Sequence, residues 1–412
     1  MCEQPEGLLN FCRIYNVYEI ILPSWLSSLT YLMSAITLAF AVINMLIIST
    51  ALYTWFERRT LARFQSRIGP NRWGPFGLLQ PIADVIKAIT KEDTVPESAD
   101  KIVFNLAPIL LLITTLLVIV VIPLGPDSFM GSLNIGVIFI IGVTSINTIA
   151  IFMGGWASRN KYAMFGAMRS VAMLITYEIP MGIAIVGILL LSNSLALSDI
   201  VMSQTIPFFI VQPIGFFVFF AASIAEISRT PFDQIEAESE LGSGFHTEYS
   251  GIKFAIITLA EFMAPIISAI IITTLYLGGF KGPNILPAEF WFAIKVFILI
   301  FFMLWIRATW PRLRIDQIMN FAWKPLFGLG LFNLFATAIE IIVFQDNATG
   351  FISTSDYWII SGINWMFAIV LFFAITQIMG NRNKEKIKHS YEANIVRSVS
   401  YTHLTLPTIY SV

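Results

Sequence analysis

"YLMSAITLAFAVINMLIISTALYTW" (residues 31–55) runs for 25 residues without a charge, then meets Phe56 and the charged trio Glu57, Arg58 and Arg59. About 20 consecutive apolar residues in a helix cross the ~30 Å hydrocarbon core of a bilayer. The stretch therefore reads as a membrane span with a charged end, and the chain repeats the pattern. Nine spans are predicted: 31–55, 103–124, 135–155, 171–191, 207–228, 253–277, 290–310, 326–344 and 357–379. The expected fold class is an all-α polytopic membrane protein with about nine transmembrane helices and a long cytoplasmic loop after the first. Residues 1–30 would be an external segment and 380–412 a cytoplasmic tail. Of the 412 residues 57% are hydrophobic and only 12% charged, against about 25% charged in a soluble domain. The first span is too long and too internal for a cleaved signal peptide. No inverted duplication is visible, which weighs against a two-fold transporter.

Charge sets the expected orientation. The segments after spans 1, 3, 5 and 7 and the tail hold eight, three, two, three and five Lys/Arg. The opposite side holds only Arg13 and Lys281, while Lys295 and Arg307 fall inside a span. The positive-inside rule places the N-terminus outside and the tail in the cytoplasm. Residues 398–412 differ in texture from the rest of the tail, are read as disordered or non-native, and carry no weight.

Several chemistries are disfavoured at once. The two cysteines, Cys2 and Cys12, form no Cys-x-x-Cys pair, and a thiolate-held metal or iron–sulfur site wants about four. Histidines 246, 389 and 403 are scattered. Neither glycine-rich phosphate motif is present, and no basic domain suggests nucleic acid.

The block from Glu57 to Lys101 is the largest stretch outside the spans. "GLLQPIADVIKAIT" places Leu78, Leu79, Ile82, Val85, Ile86 and Ile89 at helical spacing, with Asp84 and Lys87 off that face. It reads as a helix lying in the membrane interface. Arg58, Arg59, Arg63, Arg67 and Arg72 fit a basic membrane-surface patch, although Glu57 beside Arg58 suits a paired ion at the span end.

Glu178, Glu261, Lys295, Arg307 and Glu340 lie in or at the edge of spans, and Glu226 closes span 5. Each costs of order 2.5–3.5 kcal/mol at the bilayer centre, which makes it a candidate for function unless paired or snorkelling. Pro180 and Pro265 each release a carbonyl four residues earlier, so broken helices lining water are expected there. Just past span 5, "EISRTPFDQIEAESELGSGFHTEYSG" (Glu226 to Gly251) gathers six acids against one arginine. If 233–240 were helical, Asp233, Glu236 and Glu240 would share a face and Glu238 would not. Crowded carboxylates titrate as a coupled set, some held near neutrality. The alternative is an ordinary solvated acidic loop; the intramembrane Glu178 and Glu261 favour an acidic path.

Four blocks, "ERRTLARFQSRIGPNRWGPFGLLQPIADVIK", "GGWASRNKYAMFGAMRSVAMLITYEIP", "AEISRTPFDQIEAESELGSGFHTEYSG" and "RATWPRLRIDQIM", together resemble one family. It is the H-type membrane component of respiratory complex I, the NADH-quinone oxidoreductase, whose mitochondrial homologue is NADH dehydrogenase subunit 1. The likeness runs in order from about residue 25 to 345. It implies a subunit of a proton-translocating quinone reductase, inactive as an isolated chain, in a bacterial inner membrane. Partners would be the peripheral redox arm, neighbouring membrane subunits, quinone and the lipid bilayer. Ubiquinone or menaquinone would be substrate, with no flavin, iron–sulfur cluster or metal in this chain. The resemblance implies a quinone chamber at Glu57, Arg58, Asp84 and Lys87, walled by Phe232 and Phe245. It implies a proton path through Asp233, Glu236, Glu238 and Glu240 to Glu226, Glu178 and Glu261, with Arg307 as cationic partner. Four positions depart from the usual family pattern: Met173, Gln234, Ile235 and Ile315. Two other readings are a membrane component of a related hydrogenase or reduced-deazaflavin dehydrogenase complex, and an independent secondary transporter.

Overall fold

The computed structural model describes residues 14–18, 27–126, 133–234, 242–283, 285–344, 355–374 and 376–377. Every regular element among the described residues is helical. In chain order these are α1 (Ser27–Phe64), α2 (Gln80–Thr90), α3 (Lys101–Ile119), α4 (Gly136–Ala157) and α5 (Lys161–Ser192). Then follow α6 (Leu197–Ser203), α7 (Phe208–Val211), α8 (Pro213–Glu226), α9 (Gly251–Tyr276), α10 (Ala288–Thr309), α11 (Ile315–Phe321) and α12 (Phe327–Phe344). A π-helical turn, Ala322–Leu326, joins α11 to α12, and α13 covers Ser355–Ala374. Eight helical stretches are long and apolar enough to cross a membrane, α11 and α12 counting as one.

The fifth predicted span, 207–228, is divided. Pro213 cannot donate a backbone N–H and pushes the preceding residue out of the helical region, so Gln212 sits at φ −124°, ψ 69° between α7 and α8. Pro180 and Pro265, expected to break their helices, do not: α5 and α9 run through them without interruption.

Length decides where charge emerges. The 38 residues of α1 extend about 57 Å at 1.5 Å per residue, well beyond the ~30 Å apolar core. Its last turns, with Glu57 and Arg58, therefore stand at and past one edge of that core. This edge, with Arg58, Arg59 and Arg63, is the basic side below.

Helix α5 is the hub, packing against α4, α8 and α12. Asn160 caps its start, the side chain accepting from Tyr162 N–H at 2.9 Å. Asn193, at φ 52°, closes it in the left-handed conformation that asparagine tolerates. The α4–α5 seam is backbone-close: a Cβ on Gly155 would fall 2.3 Å from the Cβ of Ala167. At Gly166 a Cβ would fall 2.9 Å from Cα of Gly244, so the loop after 241 lies directly on α5. Two buried clusters result. The main one includes Tyr177, Phe219, Phe232 and Tyr276, and a smaller one gathers Phe104, Leu174, Phe245 and Tyr249.

On the opposite side two lysines cap carbonyls. Lys295 Nζ donates to Leu277, Gly279 and Lys281 carbonyls at 2.7, 3.0 and 2.6 Å. Lys281 Nζ donates to those of Met202 and Gln204. Lys295, which reads as intramembrane from sequence, thus satisfies the end of α9, where helix carbonyls lack partners. Burial lowers the Lys281 pKa from its ordinary value.

Candidate functional site

Two ion pairs mark the basic end of α1. Glu57, only 4% exposed, is paired with Arg307 at the end of α10. One residue on, Arg58 Nη1 donates to Asp84 Oδ2 at 2.6 Å, Lys87 lies 3.5 Å from Oδ1, and Gln80 Nε2 donates to it at 3.4 Å. Partial burial pushes the Asp84 pKa up, but the Arg58 hydrogen bond and charge, with Gln80 and Lys87, bring it below its ordinary value. The geometry thus assembles Glu57, Arg58, Asp84, Lys87 and Arg307 at one end. Arg59 lies over the rings of Trp55 and Phe76, 5.6 and 4.9 Å from their centroids, and pins the Phe76 carbonyl at 3.0 Å. The apolar face of α2 is uncovered: Ile82, Val85, Ile86 and Ile89 are all exposed.

The loop after α8 packs against this end. Arg229 stacks over Phe262 at 4.8 Å, and Phe262 meets Tyr53 edge-on. Arg229 Nη2 is buried without a hydrogen-bond partner. Phe232 makes an edge contact with Tyr177 at 5.5 Å and stacks on Phe321 at 6.2 Å. Gln234, one of the departures from the family pattern, donates to the Leu313 carbonyl at 2.9 Å, while Leu313 N–H donates to Pro231 O at 3.0 Å.

Phe245 is elsewhere. It sits in the smaller cluster with Phe104 and Tyr249, and Phe232 in the main one. Beside it, His246 is buried between the rings of Phe245 and Phe254, with Nδ1 3.9 Å from Glu261 Oε1. Burial depresses the His246 pKa to about 4. Nothing in the order of residues singles out His246 or Arg229, since what distinguishes them is the surrounding rings, brought from distant helices. The same loop is tied down by Asn160 donating to Glu248 at 2.6 Å and by Ser250 accepting from Thr94 N–H at 3.0 Å.

Deeper in, Thr148 Oγ1 donates to Glu178 Oε1 at 3.5 Å, and Glu178 lies within electrostatic range of Glu226. Glu226 lines a partly open, mostly apolar cavity of about 80 Å³, with Ser223, Ser268, Thr114, Thr144 and Asn147 among its polar members. One water needs roughly 10–15 Å³ of such space and two to four polar partners, so the cavity has room for water beside Glu226 and its few polar neighbours. Asp233 is half-buried at the start of the acidic stretch. Glu236, Glu238 and Glu240 lie outside the described residues, as do the predicted segment 1–13 and the tail from 378 onward.

Comparison with known proteins matches these elements to one family. The sequence model of the NADH dehydrogenase family matches residues 36–338. The H subunit of the NADH-quinone oxidoreductase of Dehalococcoides mccartyi strain CBDB1 is 47% identical over 352 residues, covering 85% of this chain and 95% of that protein. The second such H subunit of Syntrophobacter fumaroxidans is 42% identical, covering 77% of this chain and 98% of its own length. The H subunit of Thermomicrobium roseum is 43% identical over 73% of this chain and 94% of itself. With eight helices long and apolar enough to cross a membrane and likeness along nearly the whole of these relatives, this chain belongs to the NADH dehydrogenase family as a multi-pass membrane subunit of the H type.

Proposed function

We propose that the chain forms the membrane side of a quinone-binding chamber in a proton-translocating NADH:quinone oxidoreductase, and relays quinone chemistry into the membrane through its carboxylates. The observation that supports this is the joining of two ion pairs, Glu57–Arg307 and Arg58–Asp84, to an aromatic wall of Tyr53 and Phe262 on which Arg229 stacks. That combination suits an amphiphile whose polar head is hydrogen-bonded while its tail stays among apolar groups. Quinone reduction takes two electrons and two protons. Electrons would arrive from clusters in neighbouring subunits. This chain would hold and orient the headgroup, and Arg58, Lys87 and Arg307 would stabilise negative charge developing on its oxygens. Glu226, which lines the cavity, and Glu178 would pass the charge change onward. On this reading the basic side is cytoplasmic and the membrane is the bacterial inner one.

The test is Asp84→Asn in the assembled complex, which releases Arg58 and Lys87 from their shared anion. The expected result is a roughly tenfold rise in apparent KM for quinone, the equivalent of one lost interaction of about 1.4 kcal/mol, with electron transfer to a hydrophilic acceptor unchanged. Unaltered quinone kinetics would refute the chamber.

A further inference from the structure

On the half of the membrane away from the basic side, a second polar group is buried between α5, α7, α8, α12 and α13. The acidic path above uses none of it. Glu340, on α12, is 6% exposed, and its Oε2 accepts from Asn364 Nδ2 at 3.1 Å. The same amide donates at 2.9 Å to the carbonyl of Val211, freed where α7 ends. Ser361 and Trp365 cap the neighbouring Ile210 carbonyl, each at 3.0 Å. The other oxygen of Glu340, Oε1, is buried and has no hydrogen-bond partner, and among the described residues no cation pairs with this carboxyl.

The surroundings are polar by design of the sequence. Asn333, Thr337 and Glu340 fall on one face of α12 and are 2%, 0% and 6% exposed. Asn333 Nδ2 and Gln212 Oε1 lie 3.1 and 3.5 Å from the Cβ position that Gly187 leaves empty. Both atoms are buried without partners, and Gln212 Nε2 donates to the Gly187 carbonyl at 3.2 Å. A donor and an acceptor therefore await a bridging hydrogen-bonding species. The group is also remote from Glu226: the 14 residues of α8 separate it from Gln212 by about 21 Å.

We infer that Glu340, with Asn364 as its amide donor, is a proton-binding site in this half of the membrane, separate from the carboxylates of the basic side. A proton binds the carboxylate at Oε1 and leaves from it; no heavy-atom bond changes. Asn364 orients the group through Oε2 and leaves Oε1 free for the exchange. Gln212 and Asn333 provide an acceptor and a donor for water that carries the proton. The inference rests on membership of a proton-translocating assembly but not on the quinone chamber, so Glu340→Gln should leave the KM for quinone unchanged.

The experiment uses the whole complex in lipid vesicles, with infrared difference spectra between its oxidised and reduced forms and a parallel count of protons moved per quinone reduced. The wild type should show a carboxylic C=O band that shifts in D2O. Glu340→Gln should abolish that band and lower the proton-to-quinone ratio, while quinone reduction with an uncoupler keeps its rate. Should that variant not assemble, Asn364→Ala retains the carboxyl but removes its donor, and the band should move to higher frequency. A band that survives E340Q, or is unmoved by N364A, or a ratio unchanged in E340Q, would overturn the site.

Discussion

Arg307 and Glu57 show how one pair joins two helices that are 250 positions apart in sequence. Removing one member of a buried pair strands the other charge, typically at 3–5 kcal/mol. Arg307 keeps 21% of its side chain exposed, so Arg307→Met should cost about 3 kcal/mol, the low end of that range. Thermal inactivation of the assembled complex would read the loss, and the double variant with Glu57→Gln should recover part of it. A separate expectation concerns His246. Its pKa is near 4 in the fold against about 6.5 unfolded, so between these values the unfolded chain binds more protons and stability falls as pH falls. The loss should begin below pH 6.5, reach about 3 kcal/mol in full and level off below about pH 4. Melting temperature against pH should flatten in this window for His246→Asn; an unchanged profile would count against the buried neutral imidazole. Asp84 acts at lower pH, since its depressed pKa contributes stability that is lost only as pH drops below the ordinary carboxylate range.

At the scale of elements, the α4–α5 seam depends on Gly155, and the seat of the loop after 241 on Gly166. Gly155→Ala would bring a methyl to 2.3 Å from Ala167 Cβ and 2.8 Å from the Ala163 carbonyl, and such overpacking typically costs 1–3 kcal/mol. The variant should give less assembled complex on native gels, and Gly182→Ala, which meets nothing within 4 Å, should not. The spans are readable because hydropathy alone specifies them. The break at 212 is signalled by Gln212-Pro213, yet continuous hydrophobicity masks it. Pro180 and Pro265 mislead for the opposite reason, since packing holds their helices where local propensity would not. Of the site, Glu57, Arg58 and Arg307 are legible as charges in or beside spans, whereas Asp84 stands out only through the family resemblance. His246 and Arg229 are not, because only the fold surrounds them with Phe245, Phe254 and Phe262.

For the whole molecule, the distribution of charge specifies a testable topology. A cysteine introduced at Arg72 should react with an impermeant maleimide only from the cytoplasmic side of inverted vesicles, and one at Ser194 only from the other. Labelling of both from one side would reverse or refute the orientation. The joint between α11 and α12 also governs what the far half of the protein presents to its neighbours. A π turn holds one residue more than the α-helical count, so rewinding the same residues of Ala322–Leu326 as regular α-helix would spin everything beyond them by about 100°. Asn333 and Glu340 would swing round toward the hydrocarbon, while the aliphatic side chains of Ile339 and Val343 turned inward. Five residues therefore act as a phase-setter, deciding whether a distant stripe of α12 meets protein or oil.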